Sequence, residues 1–180
     1  MFVGEIRDLE TAKVAYQAAS TGHMVVSTLH TNDSSATVSR LVEMGVEPYI
    51  VAEATSLVVA QRLLRRICPR CAAEHKVPDE TLQNLGVPEA ELASYINLKR
   101  GEGCGDCNET GLKGRIAVFE FLTVTDPIKA VINKTPSPID IKKAAIEGGM
   151  RTLRQNALLK LKAGLTTVEE VVNNTVGDDK

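Results

Sequence analysis

His23-Met-Val-Val-Ser-Thr-Leu-His30, followed at once by Thr31-Asn-Asp-Ser34, is the stretch that decides the fold. The apolar run has the length of a strand and is rich in β-branched residues, and the four polar residues after it are capping types. A helix is therefore expected from about Ser34, carried by Val38, Leu41 and Val42 to Met44 and closed by Gly45. The same order appears upstream. Met1-Phe-Val-Gly-Glu5 reads as a buried strand, Asp8 is a good N-cap, and Leu9, Ala12, Tyr16 and Ala19 recur at helical spacing up to Thr21-Gly22. Strand and helix alternating in this way point to parallel strands joined by crossover helices, an α/β arrangement.

Pro48 opens a further helix, expected to run to about Ala60 and to be followed by a strand over 63–67. Residues 68–112 change character: they carry all four cysteines, several glycines and two short helical stretches near 80–85 and 89–95. This segment reads as an insertion. Arg115-Ile-Ala-Val-Phe-Glu-Phe-Leu122 returns to strand pattern, and from Asp126-Pro127 onward the chain reads as helical. Breaks are expected between Pro136 and Pro138 and at Gly148-Gly149, with a polar tail ending at Lys180.

Composition narrows the class. Apolar residues make up 43% of the 180 and aromatics 3%, with no Trp, so the core must be aliphatic. The 23 acidic and 21 basic residues leave a net charge of -2, which gives no general attraction to nucleic acid or an anionic membrane. No apolar run approaches the ~20 residues of a membrane span, and no secretory signal opens the chain, so a soluble intracellular protein is expected. Because the first residues read as a strand already under way, the natural chain is expected to continue upstream of Met1.

The cysteines form two pairs of identical spacing, Cys68-Pro-Arg-Cys71 and Cys104-Gly-Asp-Cys107. A Cys-x-x-Cys turn aims two thiolates at one point, and two such turns complete the tetrahedron that zinc prefers. Thioredoxin-like redox chemistry needs only one such pair, and an iron-sulfur cluster usually takes more closely grouped ligands. Structural zinc is the reading favoured over both. Four thiolates leave no coordination position for water, so such a zinc is not catalytic. Arg65, Arg66, Arg70, Lys99 and Arg100 lie near enough in sequence to offset the site's negative charge. They are read either as a solvated surface or as a nucleic-acid or lipid patch. His75, beside the first pair, is a surface residue or an alternative ligand.

Glu5 stands at the carboxyl edge of the first strand, where parallel α/β proteins place their ligands. His23 and His30 bracket the second strand, with Thr28, Thr31 and Asn32 near the latter. If the two strands are parallel, only His30 can share a crevice with Glu5; His23 would then lie at the opposite edge, as a closing residue or in some chemical role.

Three runs make the chain recognisable: Val3-Gly-Glu-Ile-Arg-Asp-Leu-Glu-Thr-Ala12, Thr21-Gly-His-Met-Val-Val-Ser-Thr-Leu-His-Thr-Asn32 and Gln61-Arg-Leu-Leu-Arg-Arg-Ile-Cys-Pro-Arg-Cys71. With Gly111-Leu-Lys-Gly-Arg115 and Phe119-Glu-Phe-Leu122, they strongly resemble the ATPases of type II secretion and type IV pilus assembly. The resemblance implies a partial RecA-like P-loop NTPase domain, a parallel sheet with flanking helices, plus a zinc-binding loop and a C-terminal helical part. Residues 1–67 would be the second part of the ATPase domain, 68–112 the four-cysteine insertion, and 113–180 the strand return and helical subdomain.

The resemblance further implies that Gly4-Glu5 matches the Walker B element and that His23 to His30 matches the histidine box. Glu5 would orient the water that attacks the γ-phosphate and help organise Mg²⁺, and His30 would contact the phosphate region, making these two the catalytic pair. Gly4, Arg7, His23 and Thr31 would belong to the nucleotide site, and Cys68, Cys71, Cys104 and Cys107 would hold the metal. ATP and Mg²⁺ would be cofactors of the full-length parent, Zn²⁺ of this chain. The partners implied are further copies in a homohexamer, an inner-membrane platform protein and a cytoplasmic adaptor at the cytoplasmic face of the inner membrane, with no nucleic acid. No Gly-x-x-x-x-Gly-Lys-Ser/Thr occurs in the 180 residues, so the chain by itself is expected not to hydrolyse ATP. Two alternatives stay open: a non-catalytic zinc-stabilised interaction module, and a DNA-uptake or conjugation relative.

Overall fold

The computed structural model describes residues 1–178; the last two residues of the polar tail lie outside it. The chain divides into two compact units. Met1–Ala60 with Glu120–Met150 form the first, and Gln61–Phe119 with Arg151–Lys180 form the second.

In the first unit, residues 1–6 and 24–28 run side by side in parallel, bridged at Phe2 and Val26. Val26 N–H donates to Met1 O at 3.1 Å and Val3 N–H to Val26 O at 2.9 Å. A regular parallel ladder would next use the Glu5 N–H, yet it is Ile6 N–H that donates to Thr28 O, at 2.9 Å. One extra residue is thus accommodated around Gly4-Glu5, and the Thr28 hydroxyl satisfies the Gly4 carbonyl at 2.9 Å. The two expected strands are therefore parallel, as read, but reduced to a single regular bridge because the ladder slips there.

Helix α1 (Leu9–Ser20) starts at Asp8, whose carboxylate accepts from Thr11 N–H at 2.8 Å. Helix α2 (Ser34–Glu43) starts at Asp33, which accepts from Ala36 N–H at 2.8 Å. Helix α3 (Pro48–Ala54) is shorter than expected. The chain turns extended at Thr55 and enters β1 (Leu57–Ile67), because Val58 and Val59 are β-branched and favour the strand that was expected to begin only at 63. Beyond Glu120 the first unit adds α5 (Asp126–Lys134) and α6 (Pro138–Glu147), with the break at Pro136 to Pro138 as read. Ala12, Val38, Val51, Ala52, Leu122, Ile132 and Ile141 are fully buried and fill an aliphatic core between α1, α2, α3, α5 and α6.

The second unit contains two short strands absent from the sequence reading. β2 (Ala72–Glu74) and β3 (Lys99–Gly101) pair antiparallel, with Ala72 opposite Gly101 and Glu74 opposite Lys99. Between them lie α4 (Asp79–Asn84) and a 3-10 turn over Glu89–Ser94. β4 (Leu112–Thr123) pairs with β1 in a two-stranded sheet, starting three residues earlier than expected. Helix α7 (Leu153–Lys162) opens with a reciprocal cap between Thr152 and Gln155, and α8 (Val168–Asn174) follows. Glu170 of α8 is 3% exposed and binds both the backbone N–H and the guanidinium of Arg65, at 2.8 and 2.7 Å. No helix among the described residues is long and apolar enough to cross a membrane.

Candidate nucleotide-hydrolysis and metal sites

The slipped ladder brings Glu5 and His30 together at the carboxyl ends of the two parallel segments. Glu5 Oε2 accepts from Arg7 Nε at 2.7 Å and lies 3.2 Å from His30 Nε2. Arg7 and His30 are largely exposed, and the Glu5 side chain keeps 36% of its surface open, so the cluster is accessible from solvent. The hydrogen bond from Arg7 is the largest influence and holds the Glu5 carboxyl below its ordinary value of 4.5; desolvation opposes it, and His30 adds a lesser lowering. A carboxylate kept ionised in the open can accept a hydrogen bond from water; that is the chemistry this cluster offers.

The other residues expected at this site are placed as follows. Gly4 supplies the carbonyl that Thr28 binds. The Thr31 hydroxyl is turned into the first turn of α2, 2.6 Å from Thr37 Oγ1 and 3.3 Å from Asp33 O. His23 sits at the other end of its segment, its Nδ1 3.2 Å from Thr21 Oγ1, on the order of 20 Å of chain from His30. Sequence reading did not single out Glu120. It is 2% exposed on β4 and accepts from Ser34 N–H at 3.0 Å and from the Ser34 hydroxyl, in a short contact. The signal was present: Val118, Glu120 and Leu122 share one face of an alternating strand, so a carboxylate occupies a buried phase.

The four cysteines converge in the second unit. Cys68-x-x-Cys71 immediately precedes β2 and Cys104-x-x-Cys107 follows β3. Antiparallel pairing sets the start of β2 beside the end of β3 and so puts the two turns next to each other. All four sulfurs lie within 4.8 Å of one another. Cys68 and Cys104 are 3.9 Å apart, Cys71 and Cys107 3.8 Å, Cys104 and Cys107 3.7 Å. A tetrahedron of thiolates about 2.3 Å from a central ion has edges of about 3.8 Å, whereas a disulfide would bring two sulfurs to about 2.05 Å. The donor set therefore fits a zinc ion and not a pair of disulfides, and all four thiols are free.

Local backbone supports that geometry. The N–H groups of Cys104 and Gly111 each donate to Cys107 Sγ at 3.2 Å. Burial alone would push the Cys107 thiol up, but these donors outweigh it and bring it down to about 7. Burial dominates at Cys71 and pushes its thiol up to about 12. Asn108 and Glu109 both take left-handed backbone, at φ 50° and 61°, in the turn that returns the chain toward Gly111. His75 is not part of the cluster; its N–H pairs with Leu98 O at the far end of the β2–β3 ladder. Several of the nearby cations already face acids. Arg70 and Lys113 lie 3.8 and 2.6 Å from Asp106, Arg65 binds Glu170, and Arg100 is 4.0 Å from Glu169.

Comparison with known proteins places these features in a family. The family model described as "Type II/IV secretion system protein" matches residues 1–173. The type IV pilus assembly ATPase PilB of Thermus thermophilus is 48% identical over 98% of this chain, which corresponds to 20% of that relative. PilB of Myxococcus xanthus is 44% identical over 99% of this chain and 31% of its own length. Type II secretion system protein E of Dickeya dadantii is 43% identical over 97% of this chain and 34% of its own. The chain thus spans a fifth to a third of these relatives.

Among solved structures, the pilus retraction motor PilT with bound ADP superposes with a TM-score of 0.66 at 23% identity, over 99% of this chain and 40% of that one. The Legionella pneumophila ATPase DotB gives 0.61 at 20% identity, over 96% and 37%. These likenesses show the fold to be that of the RecA-like secretion ATPases; the four-cysteine cluster suited to zinc is seen in this chain's own geometry. With a family model matching nearly its whole length and several relatives above 40% identity, this chain belongs to the type II/IV secretion system protein family.

Proposed function

We propose that these 180 residues are the carboxy-terminal part of a hexameric ATPase that drives type II secretion or type IV pilus assembly. The observation that carries this is the Glu5 carboxylate, held ionised by Arg7 and paired with His30 at the carboxyl ends of parallel segments. In the assembled motor Glu5 accepts a hydrogen bond from the water that attacks the γ-phosphate, and so orients it in line. Arg7 keeps that carboxylate charged, and both Arg7 and His30 engage the same oxygen, Oε2. His30, largely exposed beside Glu5, donates toward the phosphate as charge develops there. Mg²⁺ bound with the nucleotide supplies neutralisation of the phosphate charge.

The four-cysteine cluster plays a structural part in this reading. Its sulfurs tie together two turns far apart in the chain and take no part in hydrolysis. The phosphate cradle must come from outside these residues, since no Gly-x-x-x-x-Gly-Lys-Ser/Thr occurs among them; the 180 residues alone are therefore expected not to hydrolyse ATP. The motor would work at the cytoplasmic face of the inner membrane, moving a platform protein with the help of a cytoplasmic adaptor. The net charge of -2 on these 180 residues gives them no general affinity for nucleic acid.

The test is Glu5→Gln in the full-length protein. Turnover should fall by about a hundredfold or more while ATP binding is retained. Near-normal turnover would remove Glu5 from this role, and absence of any ATPase activity in the unaltered full-length protein would favour a non-catalytic interaction module.

A further inference from the structure

Buried carboxylates need a reason, because an ionised group taken out of water must be repaid by donors. Glu120 is 2% exposed and meets Ser34 through both the backbone N–H, at 3.0 Å, and the hydroxyl. Ser34 is itself fully buried and is the first residue of α2. The helix N-terminus carries unpaired N–H groups and partial positive charge, so a carboxylate placed there is well stabilised and fixes where the helix begins. This contact links residues 86 apart in sequence, and it is separate from the local cap that Asp33 gives to Ala36.

Ser34 stands four residues after His30. The chain between them is braced by hydroxyls: Thr31 bonds Thr37 and the Asp33 carbonyl, and Thr37 bonds the Asp33 carbonyl at 3.0 Å. A displacement of the start of α2 is therefore passed to His30 through a short, internally bonded segment. His30 in turn contacts Glu5 at 3.2 Å, a distance that a shift of about 1 Å would break.

We propose that Glu120 is a positioning residue for hydrolysis: by anchoring the first turn of α2 it holds His30 in register with Glu5. The proposal rests on the reading of Glu5 and His30 given above. The effect proposed for Glu120 runs through its contact with Ser34.

The experiment compares four full-length proteins: unaltered, Glu120→Gln, His30→Ala and the double variant. Glu120→Gln keeps the shape and replaces one carboxylate oxygen with an amide nitrogen. It should lower kcat about tenfold or more with KM for ATP changed by less than about threefold, and the double variant should turn over no more slowly than His30→Ala. Losses that multiply in the double variant, or a kcat for Glu120→Gln within twofold of the unaltered protein, would overturn the proposal.

Hydrogen exchange over residues 28–37 gives a readout independent of turnover. Exchange there should quicken in Glu120→Gln while α5 and α6 stay as protected as before; unchanged exchange over 28–37 overturns the positioning role. If His30→Ala retains full kcat, it is the catalytic reading that has failed, and the exchange result alone then decides whether Glu120 positions the loop. Ser34→Ala, which removes only the hydroxyl, guards against misfolding of the first variant. It should shift exchange and kcat in the same direction by a smaller factor, and no shift in either would count against the proposal.

Discussion

Glu5 is an exposed acid whose ionisation is favoured chiefly by Arg7 and to a lesser extent by His30. The Arg7 guanidinium lowers its pKa, so the charged form persists to more acid pH than an isolated carboxylate at 4.5 would allow. The sign follows from linkage. A folded-state pKa below the unfolded one gives stability that is present above about 4.5 and is lost as the pH falls through the lowered value. The exposure of the pair makes this contribution to folding slight, but its effect on the Glu5 carboxylate itself is direct. Arg7→Met should move the acid limb of the kcat profile of the full-length protein to higher pH while the alkaline limb stays in place. An acid limb at the same pH in both proteins would show that Arg7 does not control the titration. The Glu5 and His30 pair was legible from sequence, because parallel strands put their carboxyl ends at one edge and only His30 lies at that edge. The alternation around Glu120 marks it as buried, but its contact with Ser34, 86 residues away, is one that no local pattern announces.

The β2–β3 ladder is the element on which the metal site depends, and its tightest point is the approach of Gly101 to Gly111. A Cβ on either glycine would fall inside the van der Waals surface of the other's carbonyl, and Gly111 also has φ +73°. Gly111 N–H is one of the two backbone donors to Cys107 Sγ, and Gly111 O accepts from Cys68 N–H at 2.9 Å, so it touches both cysteine turns. Gly111→Ala should cost about 2 kcal/mol or more of stability, from strain at positive φ combined with steric overlap. It should also speed zinc loss to a chelator, followed by a colorimetric metal indicator. Wild-type release kinetics in the variant would mean that the Gly101 and Gly111 contact is not what shapes the site. The cysteine spacing could be read directly because each Cys-x-x-Cys turn is a local signal. The three-residue strands that bring the turns together could not, being too short to show alternation. Helix α3 was overextended for a related reason: the apolar run through Val58 and Val59 continues a helical pattern as readily as it starts a strand, and β-branching decides the matter.

At the level of the whole molecule, all four cysteines belong to one of the two compact units. Cys68, Cys71, Cys104 and Cys107 fall within Gln61–Phe119, and none of their sulfurs is supplied by Met1–Ala60 or Glu120–Met150. The first unit has an aliphatic core of its own, built on Val38, Val51, Leu122, Ile132 and Ile141, and that core includes no residue of the cysteine segment. The second is less self-sufficient around the metal site, where the turns at Cys68 and Cys104 are joined by a ladder of three residue pairs. Since a ligand that binds only the folded state adds RT ln(1 + [L]/Kd) to stability, a zinc ion held by the four cysteines would add that contribution to the unit that holds it, and its removal would withdraw it. Hydrogen exchange before and after treatment with a strong chelator should therefore show faster exchange over 68–112. Protection of α1, α2, α5 and α6 should stay within about twofold of the metal-bound protein. An equal loss of protection in both units would mean that they unfold as one cooperative body and that the cysteine cluster staples the entire chain. Unchanged exchange over 68–112 would mean that the bonds Gly111 makes to the Cys68 N–H and to Cys107 Sγ hold the segment without an ion.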